Sequence, residues 1–396
     1  ADGRAGFLTV AAVHENPPDK LLRTPALRPS LRKPPMNAPS SAADGFALDE
    51  MRRLCGDLFA YRPALYWIDF VLSAGLGYAL ALVYLTGSGP AWVQALAFAG
   101  AGMLLFRAGT FMHEIVHMNG ALPGFRLFWN LAYGIPLLMP SLMYRNHLDH
   151  HNVNRFGTPK DGEYLPLGSA PAVETVKYLI QVPILPVLAV LRFLLVTPLS
   201  YLHPGLRRWV LRRASSYGSN PYYQREVPPD EPLWQWALQE WACFAWLAFL
   251  ASLFVTGTLP WALLGKVYLL MTFAIGLNWV RNLAAHRYVN TGARMTLQGQ
   301  LEDSINITGQ TWLTALLFPV GLRYHALHHL FPAMPYHSMG EAHRRLMTSL
   351  PADASYRMTD YPNFFAAVSQ LWQGARQSAG KAAVMQDWRR LGAPGA

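Results

Sequence analysis

Apolar positions in this chain fall into long unbroken blocks, and the blocks come in pairs. Residues 64–85 read ALYWIDFVLSAGLGYALALVYL, with one charge, Asp69, near the start. That exceeds the roughly 20 residues a membrane-spanning helix needs. The turn TGSGP follows, and a second apolar block over residues 91–112 runs directly into HEIVH. This pattern predicts a helical hairpin whose second arm ends in histidines. A second hairpin is predicted at residues 234–255 and 261–280, joined by TGTLP and running into RNLAAHRYVN. Between them, residues 125–144 are interrupted by Pro136 and Pro140, and residues 174–202 by Pro183, Pro186 and Pro198 with Lys177 and Arg192 inside. An odd number of crossings here would put the later histidines on the wrong side of the membrane. Both stretches are therefore read as interfacial or re-entrant helices covering a site.

Composition agrees with a membrane protein. Only 14% of residues are charged and 52% are hydrophobic, against about 25% charged in a soluble domain. The net charge of +10 comes with no basic stripe interleaved with aromatics, so nucleic acid is not an expected partner. Lysine and arginine number nine in residues 1–64, eleven in 113–233 and eleven in 281–396, and neither hairpin turn carries one. The positive-inside rule then places both termini and all histidine motifs in the cytoplasm. Arginine outnumbers lysine 27 to 6, which hints at a GC-rich genome, and the expected setting is a bacterial inner membrane. Residues 1–60, with seven prolines and several basic residues, read as a disordered tail. The short apolar run Phe7 to Val13 within it is too short to span. Residues 61–348 read as the membrane-embedded catalytic unit and 349–396 as a helical cytoplasmic tail.

The candidate chemistry lies in histidines. His147, His150 and His151 in HLDHH are spaced by three and four, so on a helix they share one face. His113 and His117 (HEIVH), His286 (NLAAH) and His325, His328 and His329 (HALHH) are expected on the same side of the membrane. One zinc or iron takes about four to six ligands, so nine imidazoles suggest two metals. Imidazole suits zinc, copper, iron or nickel alike. Two cysteines, Cys55 and Cys243, cannot form a four-cysteine iron–sulfur site or a disulfide framework.

In order and spacing, HEIVH, HLDHH and HALHH resemble the HxxxH, HxxHH and HxxHH boxes of the membrane-bound fatty-acid desaturase family. The continuation HALHHLFPAMPYH resembles the HHLFP ending of acyl desaturases. The resemblance implies an all-α membrane protein with two irons held by these nine histidines and dioxygen as co-substrate. Its activity would be hydrogen removal from an unactivated C–H bond of a fatty-acyl lipid. Desaturation is the first expectation, and hydroxylation or ketolation of a lipid or carotenoid the alternative. NLAAH is similar to the NxxAH pattern of acyl-CoA desaturases, which makes Asn282 the candidate to ligate through a water; Asn278, on nearly the same helical face, competes. Ligating histidines usually donate their second nitrogen to a carboxylate or carbonyl, and Glu114, Asp149, Asp161, Glu163 and Asp303 are available for that, with His337 as a further neighbour. No flavin, haem or iron–sulfur motif is evident, so electrons are expected from a separate ferredoxin or cytochrome b5-type donor. Arg145, Arg155, Arg323, Arg344 and Arg345 are candidates to dock an acidic donor or to touch lipid headgroups.

Two rival readings use fewer of these residues. HEIVH also fits HExxH, the zinc-protease helix in which the glutamate is the general base, but that leaves HLDHH and HALHH without a role. A metal transporter would place its site near the bilayer midplane, whereas these histidines lie at or beyond the ends of the spans. His14, His203 and His343 lack partners at ligand spacing. The expected architecture is thus four transmembrane helices as two hairpins, capped on the cytoplasmic side by helices holding a dimetal site.

Overall fold

The computed structural model describes residues 48–118, 120–378 and 382–391. The expected tail lies outside the described residues as far as position 47. From Leu48 the chain is helical: α1 (Leu48–Cys55) has Asp49 and Glu50 in its first turn and Arg52 and Arg53 in its last, which favours a helix through its dipole. Met51 and Cys55, four apart on one face, are buried against Leu327, Leu330 and Leu346. The prolines stop at Pro39, so proline content marks the tail only to that point, and the Met51/Cys55 pair is the helix signal beyond it.

The first hairpin is α2 (Pro63–Thr86) and α3 (Ala91–His117). Proline in the first turn starts α2, and Gly87, at φ 71°, ends it in the left-handed conformation that glycine adopts without strain. Small residues let the arms approach closely; a Cβ on Gly100 would meet Leu80 at 2.7 Å. Arg107 on α3 donates to Asp69 on α2, Nε to Oδ1 at 2.9 Å, so neither charge is left alone along the hairpin. The second hairpin is α9 (Leu233–Val255) and α10 (Ala262–Asn282). Lys266 near the start of α10 donates to the carbonyls of Tyr84 and Leu85 at 3.1 Å each. It thereby satisfies the open carbonyl end of α2 and ties the turn ends of both hairpins together.

The segment between the hairpins departs from expectation. Residues 125–144 are broken as the prolines suggest: α4 (Phe125–Trp129) passes into a π-turn, and Ser141–Tyr144 is a separate 3-10 turn. Residues 172–202 are not. Helix α6 (Ala172–Leu191) runs through Pro183 and Pro186, widens into a π-turn at Arg192–Val196, and continues as α7 (Thr197–Leu202). Among the described residues five helices are therefore long and apolar enough to cross a membrane, and this third one is the least buried of them. A proline removes one donor and the surrounding turns adjust, so three prolines bend such a helix without ending it. At the π-turn Arg192 is buried and pairs with Glu240 of α9, which also accepts from Tyr201 at 2.8 Å and from Arg207 of α8 (Pro204–Arg213) at 2.7 Å.

The remaining described residues form a mainly helical layer. It contains α5 (His147–His150), α11 (Leu297–Asp303), α12 (Thr311–Leu317), α13 (His325–Leu330), α14 (Met339–Ser349), α15 (Phe364–Gln377) and α16 (Ala382–Leu391). Its one sheet among the described residues is a parallel pair of two-residue strands, β1 (Asn306–Ile307) and β2 (Asp360–Tyr361). The last helices pack into the body: Leu371, Met385 and Trp388 are buried with Phe156 and Tyr164.

Removing one partner of a buried ion pair strands the other charge. Glu240→Ala is expected to lower stability by about 3–5 kcal/mol, read as a drop in melting temperature in detergent. The double change Arg192→Met/Glu240→Leu is expected to recover most of it. A single variant that melts like wild type contradicts the role given to this pair.

Candidate metal centre

The nine histidines named by their spacing converge in two adjoining groups. His113, His117, His147, His151 and His328 form one; His150, His286, His325 and His329 form the other, and within each group one candidate ligand atom per residue lies within 4.8 Å of the rest. Local structure explains the placement. His113 and His117 are one turn apart at the end of α3. His147 opens the short helix α5, His150 closes it and His151 caps it, so His147 and His151 turn to the first group while His150 faces the second. His286 lies just beyond α10, held by a bridge to Ser304. On α13, His325 and His329 face the second group and His328, a third of a turn away, faces the first. The groups touch where the rings of His151 and His329 stack at 4.4 Å.

Ring nitrogens point inward. The Nε2 atoms of His147 and His151 are 3.0 Å apart, those of His151 and His328 2.9 Å, those of His286 and His325 2.9 Å, and those of His150 and His286 3.2 Å. Three of the outer nitrogens meet acceptors, while Nδ1 of His151, His325, His328 and His329 is buried without one. His147 Nδ1 lies 2.9 Å from Glu163, His150 Nδ1 2.9 Å from Asp161, and His286 Nδ1 3.2 Å from Ser304 Oγ and 3.6 Å from Asp303. A proton on Nδ1 facing a carboxylate leaves the Nε2 lone pair free for a metal. Buried nitrogens without any hydrogen-bond partner include both of His113 and Nε2 of His117, so polar atoms here await a partner that the protein does not supply. The donor set fits two metal ions, one per group.

Electrostatics points the same way. Burial, then the neighbouring imidazoles, hold His147, His151, His328 and His329 well below the ordinary histidine range, which favours the neutral ring a metal would need. Burial also acts to lower His150, but the Asp161 carboxylate outweighs it and the net shift is upward. Burial pushes Glu163 up to about 7 and Asp303 up to about 6.

Other residues singled out by spacing lie elsewhere. Asp149 accepts from Tyr223 at 2.7 Å and pairs with Arg155 at 3.2 Å, away from the rings. Glu114 accepts from the Tyr66 hydroxyl at 2.5 Å, and its other oxygen is 3.8 Å from His113. His337 accepts from the Arg62 backbone at 3.2 Å, His203 caps Leu206 at 3.1 Å and His343 meets Tyr356 at 2.8 Å; His14 is outside the described residues. Asn282 is half-buried, with its side chain beside the Tyr178 hydroxyl. Asn278, the competitor, lines a cavity next to His113, and its Oδ1 accepts from Arg281 at 2.8 Å. The five arginines offered for docking are all engaged within the chain: Arg145 with Glu231, Arg155 with Asp149 and Glu226, Arg323 with the Ile307 and Thr308 carbonyls, Arg344 with Glu341, and Arg345 with Asp57 and Glu341.

That partly open cavity is lined by Phe106, Met112, Met271 and Ile275 together with His113. Gly109 is needed there, since a Cβ would meet the Tyr133 hydroxyl at 2.6 Å. Arg281 and Tyr144 also line it. The Tyr144 ring stacks on His147 at 4.8 Å, and its hydroxyl donates to Glu163 at 3.1 Å. Neither residue belongs to a histidine motif, and the adjacency of Arg281 to NLAAH is the one sequence signal that pointed toward it.

Comparison with known proteins gives two matches and one blank. The family model described as Fatty acid desaturase matches residues 88–360. The chain is 37% identical over 347 residues, 86% of its own length and 97% of the other's, to a protein named "Ceramide hydroxylase" from Caulobacter vibrioides (strain NA1000 / CB15N). No solved structure matches.

Carboxylates behind ligating histidines usually contribute about 10- to 100-fold in metal affinity. Glu163→Gln and Asp161→Asn are each expected to weaken metal retention by about that factor in competition with a chelator, and Asp149→Asn is expected to have no effect. Equal retention in all three contradicts the assignment of these contacts.

Proposed function

Because the chain belongs to the fatty acid desaturase family, we propose that it is a membrane oxidoreductase that uses two irons and dioxygen to hydroxylate a long-chain lipid of the ceramide type. The observation that carries this reading is the junction of His113, a member of the first histidine group, with a mainly apolar cavity. Likeness to a ceramide hydroxylase over nearly that protein's whole length supports hydroxylation and the choice of lipid. Desaturation is the second reading, favoured by the family match. Both begin with removal of one hydrogen, and they part at the second step, where that carbon gains oxygen or its neighbour loses a hydrogen to leave a double bond.

Bound metals would supply dioxygen activation and the oxidising power to break an unactivated C–H bond. His147, His151, His113, His117 and His328 would hold one ion and His150, His286, His325 and His329 the other, with Asp161 and Glu163 orienting the rings. Phe106, Met271 and Ile275 exclude water and hold the chain against His113. Tyr144 fixes Glu163 and packs on His147, which restrains rotation of that ring. Asn282, turned toward Tyr178, would need a change of rotamer to ligate through a water, and Asn278 would have to release Arg281. Electrons come from a separate ferredoxin or cytochrome b5-type donor in this reading.

Histidine convergence also supports four crossings. His117 ends α3, His286 follows α10, and both lie in one pair of adjoining groups. An even number of crossings must then separate them. Helices α9 and α10 supply two, so the long α6–α7 helix lies along or partly in the bilayer and returns to the side it left. With basic residues concentrated on that side, the histidines face the cytoplasm.

Expression in a host with simple lipids, together with a suitable electron donor, tests the reading by mass spectrometry. Wild type is expected to add one oxygen (about +16 mass units) to a ceramide-type lipid, and His151→Ala to add none while still reaching the membrane. Loss of two hydrogens instead would assign desaturation. Unchanged lipids with an iron-loaded wild-type protein would sink both readings.

A further inference from the structure

The cavity beside His113 contains a cation with no matching anion. Arg281, at the end of α10, is 6% exposed and lines the cavity. Its Nη2 donates to the Asn278 side-chain oxygen at 2.8 Å, while Nε has no hydrogen-bond partner. Other buried arginines are fully served: Arg192 pairs with Glu240, and Arg225 donates to the Leu142 and Ser215 carbonyls at 3.0 and 2.8 Å. Among the described residues no carboxylate forms an ion pair with Arg281. A buried guanidinium normally requires one, or a full set of carbonyls.

Three hydroxyls on the cavity wall give their protons away from it: Thr110 donates to the Arg107 carbonyl, Tyr133 to the Leu105 carbonyl and Tyr144 to Glu163. Arg281 keeps an unpartnered Nε, as His113 on the same wall keeps both ring nitrogens unpartnered, and Asn278 fixes the orientation of the guanidinium. The rest of the lining is largely apolar. A molecule that suits this cavity has a hydrocarbon body and an acceptor oxygen at one end. Arg281 and His113 line the same cavity, so a carbonyl held by Arg281 keeps the adjoining part of the chain beside His113.

Resting on the lipid-oxidation reading above, we propose that Arg281, oriented by Asn278, anchors the acyl carbonyl oxygen of the lipid, so that oxidation falls close to the polar end of the chain rather than deep within it. Guanidinium presents its donors in a planar fork, and a charged hydrogen bond to a carbonyl is stronger than a neutral one. The carbonyl can belong to an amide lipid or to a free fatty acid; the two share the acceptor and differ in charge.

The test uses the purified full chain, held without oxygen and donor so that nothing turns over. Binding of N-palmitoyl dihydrosphingosine, palmitate and hexadecane is measured for wild type, Arg281→Met and Arg281→Lys, alongside metal content. The Met variant is expected to bind whichever carbonyl lipid is the ligand about 10- to 100-fold more weakly, with hexadecane affinity and metal content unchanged. The Lys variant, which keeps charge without the fork, falls between and carries the test if the Met variant does not fold. The carbonyl probe that loses more identifies the source. Under turnover, Arg281→Met is expected to spread oxidation along the chain. Affinities for both carbonyl lipids that do not depend on residue 281 overturn the proposal. A wild type that binds them through Arg281 but oxidises no lipid supports the anchor and overturns the oxidation reading instead.

Discussion

Nine imidazoles packed into a dry space must dispose of their lone pairs and protons, and that constraint governs the structure. Outer nitrogens of His147, His150 and His286 face Glu163, Asp161 and Ser304, which fixes where three protons sit. Inner nitrogens face one another at about hydrogen-bond distance, yet neutral rings in the same tautomer cannot all bond to each other. Leaving a buried polar group unsatisfied costs about 1–3 kcal/mol. Metal ions held by the inward nitrogens would remove that cost on the inner side of each group, so the fold and a bound metal are expected to stabilise each other.

The helices answer to that centre. A charge in the spans is tolerated where it is paired, as Arg107 is with Asp69 and Arg192 with Glu240. Both pairs hold helices in the positions from which histidines reach the site. The outer helices add a second wall: Phe156 packs on the rings of His150, His286 and His329 at 5.2 to 5.3 Å, and Trp388 of the last helix stacks behind Tyr164. Water is thereby kept from the second histidine group by residues from widely separated parts of the chain.

Much of this could be read from the chain because histidine spacing and apolar block length are local properties. Periodicity placed two hairpins, and spacing selected the nine histidines that the structure gathers. It could not tell Asp149 from Asp161, because which carboxylate meets a ring depends on how the loop after α5 folds back. Proline was a poor guide twice. It hid a continuous helix at residues 172–202, where the neighbouring turns, including the π-turn at Arg192–Val196, adjust to the missing donors, and it carried the expected tail past the start of α1. Arg281 gave no periodic or motif signal of its own. Its importance lies in a buried Nε without an acceptor and a guanidinium without an ion pair, which only three-dimensional packing reveals.

Whether this one face of the protein holds two metal ions is tested most directly by metal analysis of the purified full chain, paired with His328→Ala in the first group and His325→Ala in the second. Two irons per wild-type chain are expected, with each variant losing metal chiefly from its own group. A wild type that carries a single ion, or none after loading with iron, would contradict a dimetal centre.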